Sequence, residues 1–282
     1  MTSTRLCYDL HSHTVHSDGT LTQEELILRA VNQGVTHLAI TDHDTLRAHQ
    51  TTDAQQLALA QGLNLITGVE VSCAWEEKEL HIVGLNLEPN NCALQSALKE
   101  QVVQRRERAL MIGDKLVKQN VIGARDYIES FADEQVICRT HLSKFLVERH
   151  YAKDANQVFK RYLGKGSKSY VKGKWMSLEM AIQHINAARG CAVLAHPGRY
   201  GFSRTKLKYV VDAFRALGGQ GIEISYPNQK QGEFEYNTRM CQTFGLHASM
   251  GSDFHAPRQW MELGRLHPLP KICKPIWELF QS

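Results

Sequence analysis

At both ends of this 282-residue chain, short apolar runs alternate with amphipathic helical segments; in the middle the alternation stops. Near the N-terminus, Thr22-Gln-Glu-Glu25 has the form of a capping box. Leu26, Ile27, Ala30 and Val31 follow at helical spacing, and Gly34 stops the helix. Strands are expected at about 35–41, 63–72 and 80–87, with a second helix at about 51–61. Beyond residue 175, helices at 177–189, 204–217 and 232–244 are each followed by a strand, at 191–195, 221–225 and 246–250. This rhythm predicts parallel βα units. Between 98 and 175 the pattern is helical only, in segments at about 92–119, 125–132, 139–150 and 154–163. The strands on either side are too few to close a sheet alone. One α/β barrel, built from 1–97 and 176–282 and interrupted by an all-α subdomain at 98–175, is therefore expected rather than two consecutive domains.

Charge follows the same division. The chain has 33 basic and 29 acidic residues, a net of +4. Residues 99–174 carry 17 Lys/Arg against 9 Asp/Glu, and the remainder is acidic. A concentrated basic segment suits a polyanion such as nucleic acid. The N-terminus lacks a basic region followed by an apolar one, and no run approaches the roughly 18 apolar residues of a membrane span. The seven cysteines are scattered without a CxxC, as expected of reduced thiols in the cytoplasm.

The 14 histidines decide the chemistry. Clusters fall at or just beyond the expected strand ends: Asp9-Leu-His11-Ser-His13 running on to Asp18, Thr41-Asp42-His43-Asp44, Gly68-Val-Glu70 with His81 opening the next strand, Ala195-His196-Pro197-Gly198-Arg199, and Gly251-Ser-Asp253-Phe-His255. In a parallel βα barrel the C-terminal strand ends converge on one face, where sites are assembled from several strands. His11 and His13 are two apart in extended chain and point the same way, as do Asp253 and His255. Imidazole and carboxylate without cysteine favour zinc, manganese or iron. The donors are too many for one tetrahedral zinc. They imply a multinuclear site, the arrangement used for phosphoryl transfer to water.

This motif set resembles the polymerase-and-histidinol-phosphatase (PHP) superfamily of metal-dependent phosphoesterases, over about residues 7–258. The resemblance implies a distorted seven-stranded (β/α)7 barrel with two to three divalent ions, manganese ahead of iron or zinc. It implies a first metal held by His11, His13, Glu70 and Asp253; a second by Glu70, His81 and His196, with Glu70 bridging; and a third by Asp18, His43 and His255. Arg139-Thr-His141 in the insertion and Ala-His-Pro-Gly-Arg199 are similar to the bacterial branch of ribonuclease AM and the nucleoside 3′,5′-bisphosphate phosphatases, although that branch commonly has Arg-Pro-His. The resemblance therefore implies RNA and nucleotide partners, with no membrane and no obligate protein partner.

The expected catalytic set is Glu70, Asp253, His196, Arg199 and His141, with Arg139, His141 and Arg199 on the substrate. Arg199, three residues past a metal ligand, is placed for a bidentate phosphate contact. His141 would bind substrate or assist the leaving oxygen. The run 165–175 interleaves Lys165, Lys168, Lys172 and Lys174 with Tyr170 and Trp175, a composition suited to single-stranded nucleic acid. Gly164–Ser169 lacks the GxxxxGK[ST] spacing of a nucleotide-triphosphate loop. Two other readings stand beside the nucleotide hydrolase: a phosphatase for a small metabolite such as histidinol phosphate, and a metal-stabilised module without turnover.

Overall fold

The computed structural model describes residues 6–258 and 261–280. Seven strands follow one another round a sheet: β1 (Tyr8–Asp9), β2 (His37–Ile40), β3 (Asn64–Trp75), β4 (Lys78–Leu85), β6 (Cys191–Leu194), β7 (Gly221–Ser225) and β8 (His247–Met250). A short β5 (Met176–Ser177) pairs with β3. The chain segments that extend β1 and β8 then meet. Leu10 N–H donates to Met250 O at 3.0 Å, Asp253 N–H to His11 O at 2.8 Å, and His13 N–H to Phe254 O at 2.8 Å. Gly251 makes that seam feasible, because a Cβ there would lie 2.2 Å from His11 Cβ.

The expectation of parallel βα units needs one correction. β3 runs antiparallel to β4, and β4 antiparallel to β6. Only Glu76 and Glu77 separate β3 from β4, and Glu76 turns at φ 50°. A parallel crossover needs a dozen or more connecting residues, so this segment could only fold back. The reversal places the start of β4, with His81, at the rim where the neighbouring strands end.

The outer helices obey their local signals. α1 (Gln23–Asn32) opens on the reciprocal Thr22–Glu25 capping box and buries Leu26, Ile27 and Ala30. α2 (Asp53–Ala60), α7 (Leu178–Ala187), α8 (Arg204–Ala216) and α9 (Glu233–Thr243) complete the barrel's helices. The middle of the chain forms α3 (Cys92–Val117), α4 (Ala124–Glu129), α5 (Arg139–Glu148) and α6 (Ala155–Val158), the last running into a π-helical turn at Phe159–Leu163.

α3 belongs to two cores. Leu94 and Leu98 pack in the barrel's, while Ala109, Ile112 and Leu116 pack with Leu142, Phe145 and Leu146 in a separate one. Between them Arg105 is buried. Its Nε donates to Asp44 Oδ2 at 2.6 Å, its Nη2 to Ser72 Oγ at 2.7 Å and its Nη1 to Cys138 Sγ at 3.2 Å. One guanidinium thus ties the β2 rim loop, β3 and the N-terminal side of α5 to α3. Replacing Arg105 by Ala leaves the buried Asp44 carboxylate without its cation, held by the Ser72 N–H at 2.7 Å and Gln101 Nε2 at 3.5 Å, and should destabilise the fold by about 3–5 kcal/mol. Denaturant unfolding measures this; a change under about 1 kcal/mol would show that the pair is not the anchor.

Candidate metal centre

Every residue expected from the sequence as a metal ligand lies at one rim. Glu70 is at the centre and fully buried. Its Oε2 faces His43 Nδ1 at 2.9 Å, His11 Nε2 at 3.3 Å and His13 Nε2 at 3.4 Å. Its Oε1 faces His81 Nδ1 at 2.8 Å and His196 Nε2 at 3.0 Å. Asp253 Oδ1 lies 3.0 Å from His13 Nε2 and 3.3 Å from His11 Nε2. Asp18 Oδ1 lies 3.2 Å from His255 Nε2 and 3.7 Å from His43 Nε2.

Three groups of donor atoms converge closely enough to share an ion: His11, His13, Glu70 and Asp253; His13, Asp18, His43 and His255; and His43, Glu70 and His81. The first matches the expected set. The second adds His13 to the expected third site. The third has His43 where His196 was expected; His196 Nε2 meets Glu70 Oε1 at 3.0 Å, the oxygen that also faces His81.

The donors are held in turn by Glu223, which no motif marks, and by Asp42 and the Asp253 backbone. Glu223 accepts from His11 Nδ1 at 2.7 Å and from the His196 backbone N–H at 2.6 Å. The first contact leaves His11 Nε2 facing the centre. Asp253 O fixes the His255 tautomer through Nδ1 at 2.8 Å. Asp42 accepts from Thr14 N–H, Thr14 Oγ1 and Ser17 Oγ, and so shapes the loop that carries Asp18. The only hint of Glu223 in the sequence is a lone carboxylate in an otherwise apolar strand, Gly221-Ile-Glu-Ile-Ser225.

The environment suits divalent cations. Buried His11 Nε2, Asp18 Oδ1, His43 Nδ1, Glu70 Oε2 and His196 Nδ1 have no hydrogen-bond partner. A native interior leaves very few such atoms unsatisfied. Burial alone would raise the carboxylate pKa values. The imidazoles around Asp18 and Glu70, and Arg199 with His11 beside Asp253, outweigh it and hold all three well below the usual range. Burial and the neighbouring His255 pull His13 down to about 4. Burial opposes charge on His81 and His255 too. There Glu70 wins for His81, and Asp18 with Asp253 for His255, and each is pushed up to about 10.

The substrate residues expected from the sequence are placed differently. Arg199 Nη1 pairs with Asp253 Oδ2 beside a cleft of about 650 Å³. Arg139 lies 3.6 Å from Glu79 Oε1 and lines a second, smaller cavity next to His43 and His81. His141 lines neither. Its Nδ1 accepts the Cys138 N–H at 3.0 Å, and its ring meets Phe131 edge-on. Its neighbour Thr140 makes the direct contact, donating to Asp18 Oδ2 at 2.5 Å. Trp175 turns inward, below the guanidinium groups of Arg105 and Arg108. It is buried rather than an exposed stacking platform.

A barrel that gathers nine imidazole and carboxylate side chains round a buried bridging glutamate has the architecture of a multinuclear metal-dependent hydrolase. The chain belongs to the PHP domain family, whose model matches residues 9–188. It is 40% identical to the 5′-3′ exoribonuclease Rnm of Escherichia coli over 281 residues, covering 100% of this chain and 96% of that protein. It is 40% identical to a 3′,5′-nucleoside bisphosphate phosphatase of Chromobacterium violaceum over 276 residues, covering 97% and 96%. A solved structure described as an amidohydrolase from Chromobacterium violaceum, with sulfate bound and no metal, superposes with a TM-score of 0.90 at 39% identity, covering 96% and 95%.

Without metal the carboxylates push His81 and His255 upward, as they do His11, and the protons so held must leave when a ring becomes a ligand. Divalent metal binding should therefore release protons, and affinity should rise with pH towards about 10. Calorimetry in two buffers of different ionisation enthalpy counts the protons. Metal binding without proton release would contradict the assignment of these rings.

Proposed function

We propose that this chain is a metal-dependent phosphoesterase that breaks the ester on the 3′ side of a 5′-phosphorylated nucleotide. It would act as a 5′-to-3′ exoribonuclease on RNA and as a 3′-phosphatase on nucleoside 3′,5′-bisphosphates. The observation that carries the reading is Glu70, whose two carboxylate oxygens serve two different sets of imidazoles. The relatives' names supply the substrate class. A donor set of nitrogen and oxygen alone suits manganese, iron or zinc, and the family resemblance puts manganese first. In this reading His11, His13, Glu70 and Asp253 hold one metal; Glu70, His81 and His196 hold a second, with His43 at its edge; Asp18, His43 and His255 hold a third.

When bound, the metals supply Lewis acidity and a water acidic enough to attack phosphorus near neutral pH. The chain's own groups do the rest. Arg199, about one-third exposed at the cleft and hinged on Asp253, can turn one face of its guanidinium to a phosphate oxygen. Thr140 fixes Asp18, and His141 caps the start of α5 so that Thr140 stays in reach. The segment 98–175 works as a subdomain that covers the rim and supplies basic residues to the substrate. Cys73, Cys92, Cys138, Cys191, Cys241 and Cys273 are thiols without a disulfide among the described residues, which suits a cytoplasmic location. No helix among the described residues is long and apolar enough to cross a membrane.

Metal-reconstituted protein should prefer 5′-phosphorylated RNA and 3′,5′-bisphosphate nucleotide over 5′-hydroxyl RNA and histidinol phosphate. Preference for histidinol phosphate would favour the small-metabolite reading. Asp253→Ala should lower turnover on every substrate by more than the roughly 10–100-fold that outer-shell changes cost, and lower bound metal with it. Charge reversal at the exposed Lys165 and Lys168 should weaken long RNA far more than the bisphosphate, with a steep salt dependence. Equal loss on both substrates would show that these lysines do not track RNA.

A further inference from the structure

Beside the metal centre a small cavity of about 110 Å³ runs between α3, Trp175 and the β3–β4 hairpin. His43 and His81 line its rim side. On the insertion side stand Arg108, Arg139 and Trp175. Arg108 is 6% exposed and Trp175 8% exposed. Arg108 Nε is satisfied by Val171 O at 2.9 Å. Its Nη2, however, has no hydrogen-bond partner, and neither has the Trp175 indole N–H. Two buried donors without acceptors in one cavity are costly unless a ligand satisfies them.

Two carboxylates line the cavity: Asp18, which is engaged by Thr140 and His255, and Glu79, which is badly placed for the two donors. Glu79, on the hairpin, lies 3.6 Å from Arg108 Nη2, 3.6 Å from Arg139 Nη2 and 3.7 Å from His81 Nε2. These distances give Coulomb attraction without a hydrogen bond. Burial outweighs the help from Glu79, and with Arg139 and Arg105 close by it pulls Arg108 down to about 10. The guanidinium is under-neutralised with Glu79 alone.

We propose that this cavity is a second anion subsite, that Arg108 and Trp175 grip there the phosphate that is not hydrolysed, and that Glu79 is a resident competitor which sets the specificity. The inference rests on the proposed function, whose bisphosphate substrate carries one phosphate to the metals and leaves the other to be recognised. A phosphate monoester has more negative charge than a carboxylate and three acceptor oxygens. It can satisfy Arg108 Nη2 and the indole N–H together, which Glu79 does not. A hydroxyl group in its place has no charge with which to displace Glu79.

The test compares a nucleoside 3′,5′-bisphosphate with the matching nucleoside 3′-monophosphate, which share the scissile bond and differ only in the second phosphate. Arg108→Gln should lower the ratio of their kcat/KM values by about tenfold or more, chiefly through KM for the bisphosphate. Arg108→Lys should recover part of that ratio, and Trp175→Phe, which keeps the ring and loses the N–H, should lower it less. Glu79→Gln should lower KM for the bisphosphate, and that gain should vanish in the Arg108→Gln background. Thermal melts and metal content identify any variant that fails to fold or load. An equal change on both substrates in Arg108→Gln, or an unchanged ratio in Glu79→Gln, overturns the proposal. Calorimetry with nucleoside 5′-monophosphate reads the same subsite without turnover. Wild-type protein that hydrolyses neither substrate would sink the functional reading, while binding of the 5′-monophosphate lost in Arg108→Gln would still establish the subsite.

Discussion

The carboxylates of Asp18, Glu70 and Asp253 are all but withdrawn from solvent at one rim of the barrel, and the imidazoles and one arginine around them are what hold them ionised there. An isolated ionised carboxylate so withdrawn is too costly to survive. The rim is therefore built to bring cations or metal to these groups. Asp253 and His196 sit at φ 50° and φ 29°, where a residue with a Cβ is strained. Each departure costs on the order of 1–3 kcal/mol and persists because its surroundings over-determine it. Here Glu223 grips the His196 N–H, and the Asp253 N–H is locked to His11 across the closing seam.

The reversed strand β4 connects this centre to the insertion. Because β4 starts at the rim, one short hairpin delivers His81 to Glu70 and Glu79 to the arginines of the inserted helices. Arg105 completes the link from the other side, since its partner Asp44 follows His43 directly on the β2 loop. The helices over the rim and the loops that carry the ligands therefore share side chains. A displacement of α3 would be felt at His43 and His81 without any change at the metals themselves.

How much of this was legible in the sequence differs from element to element. The ligand clusters were, because period-two spacing in extended chain puts His11 with His13, and Asp253 with His255, on one side. The helix starting at Thr22 was, because a reciprocal cap needs only local residues. The direction of β4 could have been read from the shortness of the connection, yet the surrounding rhythm of helices suggested a parallel strand. Glu223 was hidden, since one acid in a five-residue strand has no local signature and its role depends on two residues brought from elsewhere in the barrel. Arg105 and Arg108 were hidden for the opposite reason. On a long helix rich in charge they resemble a solvated face, and only tertiary packing buries them. The sharing of His43 and His13 between donor groups depends on distances of a few tenths of an ångström, which spacing along the chain does not encode.

The shape of the rim bears on the direction of the proposed reaction. The larger cleft, past Arg199, Asp253 and His255, borders Lys144 and Arg258. The smaller cavity lies on the other side of Asp18 and ends against Ala109, Ile112 and Leu142, which belong to the insertion's own core. At about 650 Å³ the first has room for a polymer to continue, while the second, at about 110 Å³, has room for little more than one terminal group. An enzyme that cut internally would need room for the chain on both sides of the scissile bond. A site with one blind side accepts a terminus, and if that side holds a phosphate, the terminus it accepts is the phosphorylated one. The same constraint makes a bisphosphate nucleotide the shortest version of the polymer substrate. It fills the blind side completely and leaves the open cleft empty, so one geometry serves both activities in the proposed function.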